Sequence, residues 1–330
     1  FPLKPPPLSR VTFTKEEMYN LTPEHAAFCR ELFEKNDLSI AELYTPLPMD
    51  KNLLMFPSTL GGGGWGGVSV DPAQELLFTN VNNLGQWGHM EKKGNTYVRT
   101  STYGPYARFW NRDTRIPCTN PPFGELVAVN ARTGDIAWRT PLGTIPALEA
   151  LGVKNTGAPS LGGSIATAGG LLFIAATNDS RFRAFESKTG KLLWDQPIDA
   201  NGHTIPITYQ GKNGKQYVAI MAGGGGGYFG GTPADSLMAF ALGDGPAPNV
   251  SASPRPAETV TKSVLPDGPS KVVLQRACGS ACHTLDAVTG MRRDRKAWQA
   301  MVDNMIARGA SAKDDEVQVI LDYLTAHVGK

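Results

Sequence analysis

Three residues near the C-terminus carry the most specific chemistry in the chain: Cys278, Cys282 and His283, within "QRACGSACHTLDAVTG". Two thiols followed directly by an imidazole are the arrangement that fixes a c-type haem, the thiols forming thioethers with the porphyrin and the histidine binding iron. The spacing holds one residue more than the usual motif, so Cys278 and Cys282 stand at i and i+4. They share one helical face, and a slightly bulged turn would present both. The second axial ligand in such sites is usually Met, and this region offers Met291, Met301 and Met305. Met305 precedes "IARGA", where Gly309 can stop a helix and let the chain fold back over a haem edge; Met301, on the same stripe, is its rival. Plainer readings stand beside these. The cysteines could be a reduced structural pair or half of a zinc site, although no second Cys or His pair lies near to complete four ligands, and Met305 could be a core residue. His327 reads as a solvated helix end, and His25, His89 and His203 as surface or rim residues without metal-type spacing.

The elements that must hold this cluster are helical. "SKVVLQRACGSACHTL", "DRKAWQAMVDNMIARGA" and "DDEVQVILDYLTAHV" each show helical periodicity, with Trp298, Met301, Val302, Met305 and Ile306 on one stripe. Residues 271–330 therefore read as a small all-α domain, and one of about 60 residues gains from a large apolar cofactor. Residues 246–270, rich in Pro, Ala and Ser without periodicity, read as an extended tether.

Upstream the texture changes. The chain holds 37 Gly and 25 Pro in 330 residues, clustered between β-branched and aromatic runs, as in an all-β fold with many turns. "GELVAVNARTGDIAWRTPLG" and "SRFRAFESKTGKLLWDQPID" match at Ala128/Ala184, Thr133/Thr189, Gly134/Gly190 and Trp138/Trp194, a repeat of 56 residues. Such a period points to blades or a solenoid. Each unit is a strand, a tight Thr-Gly turn with glycine at positive φ, and a second strand carrying a Trp that can wedge between neighbouring sheets. "GGLLFIAAT" and "KQYVAIMAG" suit strands buried on both faces. Residues 51–245 supply about four blades at roughly 40 to 50 residues each, fewer than a ring usually needs. Residues 1–50 form an arm with one or two short helices: Thr14 and Glu17 have capping-box spacing, and Ala26, Cys29, Leu32 and Phe33 recur at helical intervals.

Composition excludes some classes. Thirty-two basic and 30 acidic residues give a formal charge of +2, so no basic face is implied for nucleic acid. No apolar run approaches the roughly 20 residues that span a bilayer, and "FPLKPPPLSR" lacks a signal-peptide core. The sequence starts at Phe1 rather than Met and is expected to be the remainder of something longer.

Four stretches, "LLMFPSTLGGGGWGGVSVDP", "PCTNPPFGELVAVNARTGDIAWRTPLG", "LGGSIATAGGLLFIAATNDSRFRAFESKTGKLLW" and "GKQYVAIMAGGGGGYFGG", together resemble the pyrroloquinoline-quinone (PQQ)-dependent dehydrogenases of sugars, polyols and alcohols. The likeness covers most of residues 45–245 and is closest to quinoprotein glucose dehydrogenases with an appended cytochrome c domain. The tail "CH…W…V…M…GA…YL" looks like the small cytochromes of such enzymes, apart from the extra residue between its cysteines. The resemblance implies an all-β propeller, here the C-terminal part of an eight-bladed one, followed by the all-α cytochrome domain, with PQQ on the propeller axis held with Ca²⁺. It also implies that the catalytic Asp, the basic residue beside the quinone and the Ca²⁺ ligands come from preceding blades, so none is assigned in this chain. Carried over is one wall of the quinone pocket: Gly64 and Trp65 in "GGGGWGG", Leu161 and Gly162 in "SLGGS", and Gly226 and Gly227 in the glycine run. Glycine suits such loops because backbone must approach a planar quinone where a Cβ would obstruct; the plain alternative is a flexible surface turn.

The expectation is therefore a periplasmic quinohaemoprotein dehydrogenase, soluble or peripherally membrane-associated. It would oxidise an alcohol or sugar through PQQ and pass electrons to haem c, held by Cys278, Cys282, His283 and Met305, and then to a downstream cytochrome or quinone pool. An N-terminal propeller half, in a longer precursor or a second chain, is its expected partner. The rival is a non-enzymatic propeller scaffold with an electron-transfer or zinc-bound tail. Haem attachment of the c type implies an oxidising compartment, in which Cys29 and Cys118 are expected to pair.

Overall fold

A computed structural model of the chain describes residues 3–104, 106–224, 233–243, 265–279, 285, 288, 292–307, 310 and 312–329. Two compact units emerge. One comprises Phe1–Pro46, Lys51–Trp87 and Arg108–Ser253, the other Leu47–Asp50, Gly88–Ala107 and Pro254–Lys330.

The first unit begins with an irregular arm, a single 3-10 turn at Lys15–Glu17 and helix α1 (Pro23–Lys35). The Glu17 carboxylate accepts the Thr14 amide at 2.8 Å, as the sequence spacing suggests. Helix α1 buries Ala26, Cys29, Leu32 and Phe33, and Cys29 and Cys118 lie at disulfide distance, Sγ to Sγ 2.12 Å. His25 is buried in the same face at 7% exposure, which corrects its reading as a surface or rim residue. A turn of α1 places it over Cys29, 3.4 Å from the sulfur. Short strands β1 (Ser39–Ile40) and β2 (Leu53–Met55) then pair in parallel.

Three antiparallel sheets follow. The first consists of β3 (Ser69–Asp71) and β4 (Leu76–Asn82), then, beyond an intervening hairpin of β5 (Gln86–Lys93) and β6 (Thr96–Thr100), β7 (Gly124–Asn130) and β8 (Ile136–Pro141), in the order β3-β4-β7-β8. A short helix, α2 (Pro146–Glu149), leads into the second sheet, β9 (Ser164–Ala166), β10 (Leu171–Ile174), β11 (Arg181–Glu186) and β12 (Leu192–Pro197), paired in sequence. The third has three described strands, β13 (Ile207–Gln210), β14 (Gln216–Ala222) and β15 (Ser236–Ala241). Each is a meander of blade type.

The repeat explains their stacking. Gly134 and Gly190 take φ of +73° and +72° at the Thr-Gly turns, a conformation that side chains resist. Trp138 of the first sheet lies over Gly190 of the second, so closely that a Cβ there would stand 2.5 Å from the indole. Its Nε1 donates to the Ser187 carbonyl at 3.0 Å. Leu76, Phe78, Leu126 and Ala128 of the first sheet pack on Leu172, Ile174 and Phe185 of the second. On the far side Ala175 and Phe182 meet Val218 and Ile220 of the third, with Trp194 against Phe240.

The second unit contains the C-terminal helices: α3 (Pro269–Leu274), continued by a wider π-type turn over Gln275–Gly279, then α4 (Arg295–Ala307) and α5 (Asp314–Val328). Trp298, Val302, Ile320, Leu321 and Leu324 form their core, with Leu274 closing it. Among the described residues no helix is long and apolar enough to cross a membrane.

Candidate functional site

The glycine-rich loops before β3 and before β9 meet in the first unit. The Gly64 amide donates to the Asn80 carbonyl on β4 at 2.9 Å, and the Leu161 amide to Ala176 beyond β10, also at 2.9 Å. Two bridges, Gly63 with Val81 and Ser160 with Thr177, show that each loop lies along the end of its own sheet's second strand. The loops then touch backbone to backbone. A Cβ on Gly64 would stand 2.7 Å from the Asn80 Nδ2 and 3.0 Å from the Gly162 oxygen; one on Gly66 would stand 2.4 Å from the Gly162 carbonyl carbon. Only glycine permits this approach. Gly162, at φ +90°, is enclosed on its other side by His203 and Thr204 of the loop after β12.

Of the wall residues expected from sequence, the structure thus brings Gly64, Leu161 and Gly162 to one junction. Trp65 beside them is 67% exposed, an indole in solvent. Gly226 and Gly227 lie outside the described residues, although the same junction reaches the start of their run, since the Gly224 amide donates to Asn201 at 3.0 Å.

Polar residues that sequence reading passed over hold the junction together. Asn82 donates from Nδ2 to the Ser160 carbonyl at 3.1 Å and accepts the Ser160 amide at Oδ1 at 2.7 Å. Asn80, fully buried, donates to Ser160 Oγ at 2.9 Å, and its Oδ1 finds no partner among the described residues. A buried amide oxygen of this kind calls for a water or a ligand atom. The available signal was the "TNVNN" stretch, where asparagines interrupt a strand that begins with Leu76, Leu77 and Phe78. His203 donates from Nδ1 to the Ala176 carbonyl at 3.0 Å and is partly buried rather than on an open rim. Desolvation holds its imidazole below the usual histidine range, against the pull of the Ala176 and Leu161 backbone.

Cys282 and His283 lie outside the described residues, as does the side chain of Cys278, whose backbone stands in the π-type turn. The two candidate methionines differ: Met301 packs against the helical core, and Met305, partly buried, is not part of that cluster. Among the described residues His25, Cys29 and Cys118 are grouped closely enough to hold a metal ion, but sulfurs at bonding distance have no thiolates to offer one.

Residues 1–218 match the family described as "PQQ: Glucose/ethanol/alcohol dehydrogenase, beta-propeller domain". The chain is 37% identical to a probable quinate dehydrogenase (quinone) from Xanthomonas campestris pv. juglandis, over 66% of this chain and 30% of that protein. It is 34% identical to quinoprotein glucose dehydrogenase A from Acinetobacter calcoaceticus, over 70% and 31% respectively. It therefore spans about a third of the length of the relatives it matches. A solved quinohemoprotein alcohol dehydrogenase from Pseudomonas putida HK5 aligns with a TM-score of 0.46 at 18% identity, covering 87% of this chain and 48% of that one. The blade repeat, the glycine junction and the match over residues 1–218 agree: the chain belongs to the PQQ-dependent glucose/ethanol/alcohol dehydrogenase family and carries part of its β-propeller domain.

Proposed function

We propose that this chain is the C-terminal part of a periplasmic quinohaemoprotein dehydrogenase acting on a sugar, polyol or alcohol. The observation that carries the reading is the meeting of Gly64, Gly66 and Gly162, where backbone is bare and no Cβ fits. A flat cofactor would find a close-set wall of peptide groups there, the exposed Trp65 face, and the unpaired Asn80 oxygen nearby. Bound PQQ would supply the oxidation of substrate, chemistry that the side chains of this wall lack. The wall residues would orient and enclose. The acid–base group and the Ca²⁺ ligands are assigned to the N-terminal half of the longer protein.

That half is the proposed partner, and the third sheet supports it. Ile207, Tyr209, Met221 and Leu237 share one face by register and are 59%, 45%, 42% and 67% exposed. Beyond β15 no fourth strand is present among the described residues, whereas β11 has β12. An apolar face and an open edge together suit a further blade.

The helical unit is proposed to carry haem c through Cys278, Cys282, His283 and Met305. The widened turn at Gln275–Gly279 supports attachment across the longer cysteine spacing, and the core packing of Met301 leaves Met305 as the better ligand. In this reading the haem accepts the electrons and hands them to a downstream cytochrome or quinone pool.

The test is titration of the full-length apoprotein with PQQ, followed by fluorescence, together with dye-linked oxidation of sugars, polyols and alcohols. Trp65→Ala, at a position 67% exposed, should fold yet weaken PQQ by at least about tenfold, roughly 1.4 kcal/mol. PQQ uptake equal to wild type would remove the wall from the site, and no uptake by wild type would favour a scaffold. The denatured chain should retain haem mass until both Cys278 and Cys282 are replaced by Ala. Met305→His should then keep the haem and lower its reduction potential.

A further inference from the structure

His203 stands where loops of all three sheets converge, and the carbonyl it binds is unusual. Ala176 is fully buried and takes φ +56°, a left-handed conformation that a residue with a Cβ adopts only when its surroundings enforce it. Its amide donates to the Gly202 oxygen at 2.9 Å. The twist turns its own carbonyl toward two donors, the Leu161 amide at 2.9 Å and His203 Nδ1 at 3.0 Å. Leu161 leads directly into Gly162, which is closed in by the carbonyls of His203 and Thr204 on one side and by Gly64 and Gly66 on the other. The imidazole and the wall loop thus share one acceptor oxygen, and the ring also feels the Leu161 backbone directly.

We infer that His203 is a positioning residue for the quinone wall, its Nδ1–H fixing the Ala176 carbonyl that in turn sets the Leu161–Gly162 loop. This rests on the wall reading above, but the lock itself is a property of the protein without cofactor. Three features support it independently. The donor is unambiguous in role, since Nδ1 faces a carbonyl and must carry the proton. The ring is desolvated and its neutral form favoured, so one N–H is available for this bond rather than a charge seeking water. The left-handed Ala176 stores strain that is relaxed if the carbonyl loses a partner.

The test uses isosteric amides in the full-length protein. The Asn side-chain nitrogen falls where Nδ1 stands, whereas that of Gln falls where Nε2 stands. His203→Asn should therefore keep the lock, and His203→Gln and His203→Leu should lose it. Hydrogen exchange of a peptide spanning residues 158–163 in the apoprotein should quicken by roughly fivefold to tenfold in the Gln and Leu variants, the worth of one buried hydrogen bond, and stay at the wild-type rate in the Asn variant. PQQ affinity should fall by a similar factor in the same two variants. A role in filling space alone would favour Gln and Leu, which are nearer to histidine in volume, over the smaller Asn, so a Gln variant that matches or exceeds the Asn variant overturns the inference. If the Leu variant does not fold, the Asn and Gln pair decides alone. If wild type binds no PQQ while exchange still separates the pair, the lock stands and only the quinone reading falls.

Discussion

The junction between the first and second sheets and the outer face of the third belong to one stack of antiparallel sheets, yet they end in different states. At the first junction Trp138 lies over Gly190, donates to Ser187, and seals apolar residues from both sheets. At the third sheet the equivalent stack stops: its inner face meets Trp194 and Phe182, while Ile207, Tyr209 and Leu237 face outward. A blade therefore supplies half an interface on each side and is complete only between neighbours. The N-terminal arm illustrates the point at the other end, where Leu8 packs beside Val81, Val127 and Val129 and Arg139 donates to the Pro7 and Leu8 carbonyls. One end of the stack is covered by the chain's own arm; at the other, apolar side chains are exposed and no further strand follows β15 among the described residues.

Predictions can break or sharpen this contrast. The largest effect is expected at the covered end. Cys29 and Cys118 are 89 residues apart in sequence, and loop closure of that length stabilises by about 4 to 5 kcal/mol in the chain-entropy account, usually less in practice. Cys29→Ser with Cys118→Ser should lower the denaturation midpoint accordingly, and mass spectrometry of unreduced protein should find both thiols bonded. Free thiols there would mean that the arm is held by noncovalent contacts alone.

The second effect concerns the stack itself. Asp179 and Arg183 form a buried ion pair in the second sheet, with side chains 2% and 4% exposed, and Asp179 also accepts the Thr144 amide of the preceding connection. Asp179→Ala leaves the buried guanidinium with Asp195, 3.6 Å from its Nε, as its remaining counter-charge and should destabilise by about 3 kcal/mol in denaturant unfolding. A third comparison sets the two tryptophans against each other: Trp138→Phe removes the bond to Ser187 and should be worse than Trp194→Phe by about 1 kcal/mol. Equal losses would mean that the indole bond adds nothing to the wedge.

The smallest effect on stability is expected at the bare face. Leu237→Glu, at a position 67% exposed, should change the stability of this chain by no more than about 0.5 kcal/mol. It should nevertheless prevent association with the proposed N-terminal half, produced separately, in size-exclusion chromatography. Unfolding of the chain by this substitution would show that the face is already covered.

Periodic and local features were legible in the sequence. The Thr-Gly turns announced Gly134 and Gly190, the matched tryptophans announced the wedge, and the stripe through Trp298 announced α4, because each depends on residues close in the chain. The junction was only half legible. Glycines at 64 and 162 signalled close approach, but Asn82 with Ser160 and Ala176 with His203 are partnered across 78 and 27 residues, and no spacing rule reports such pairs. His25 was misjudged for the same reason: its burial follows from a carbonyl at Pro117, 92 residues away.

The pairing of Asn82 with Ser160 has a mechanical meaning. A side-chain amide that gives and takes one hydrogen bond with the backbone of the same residue imitates a rung of backbone ladder, so it rivets strand β4 of one sheet to the entry loop of the next. Both bonds must break in the same event before the sheets can shear. Sliding between neighbouring blades then proceeds by release and re-engagement rather than by gradual drift, and the glycine loops carried on either side keep their mutual spacing until that latch opens.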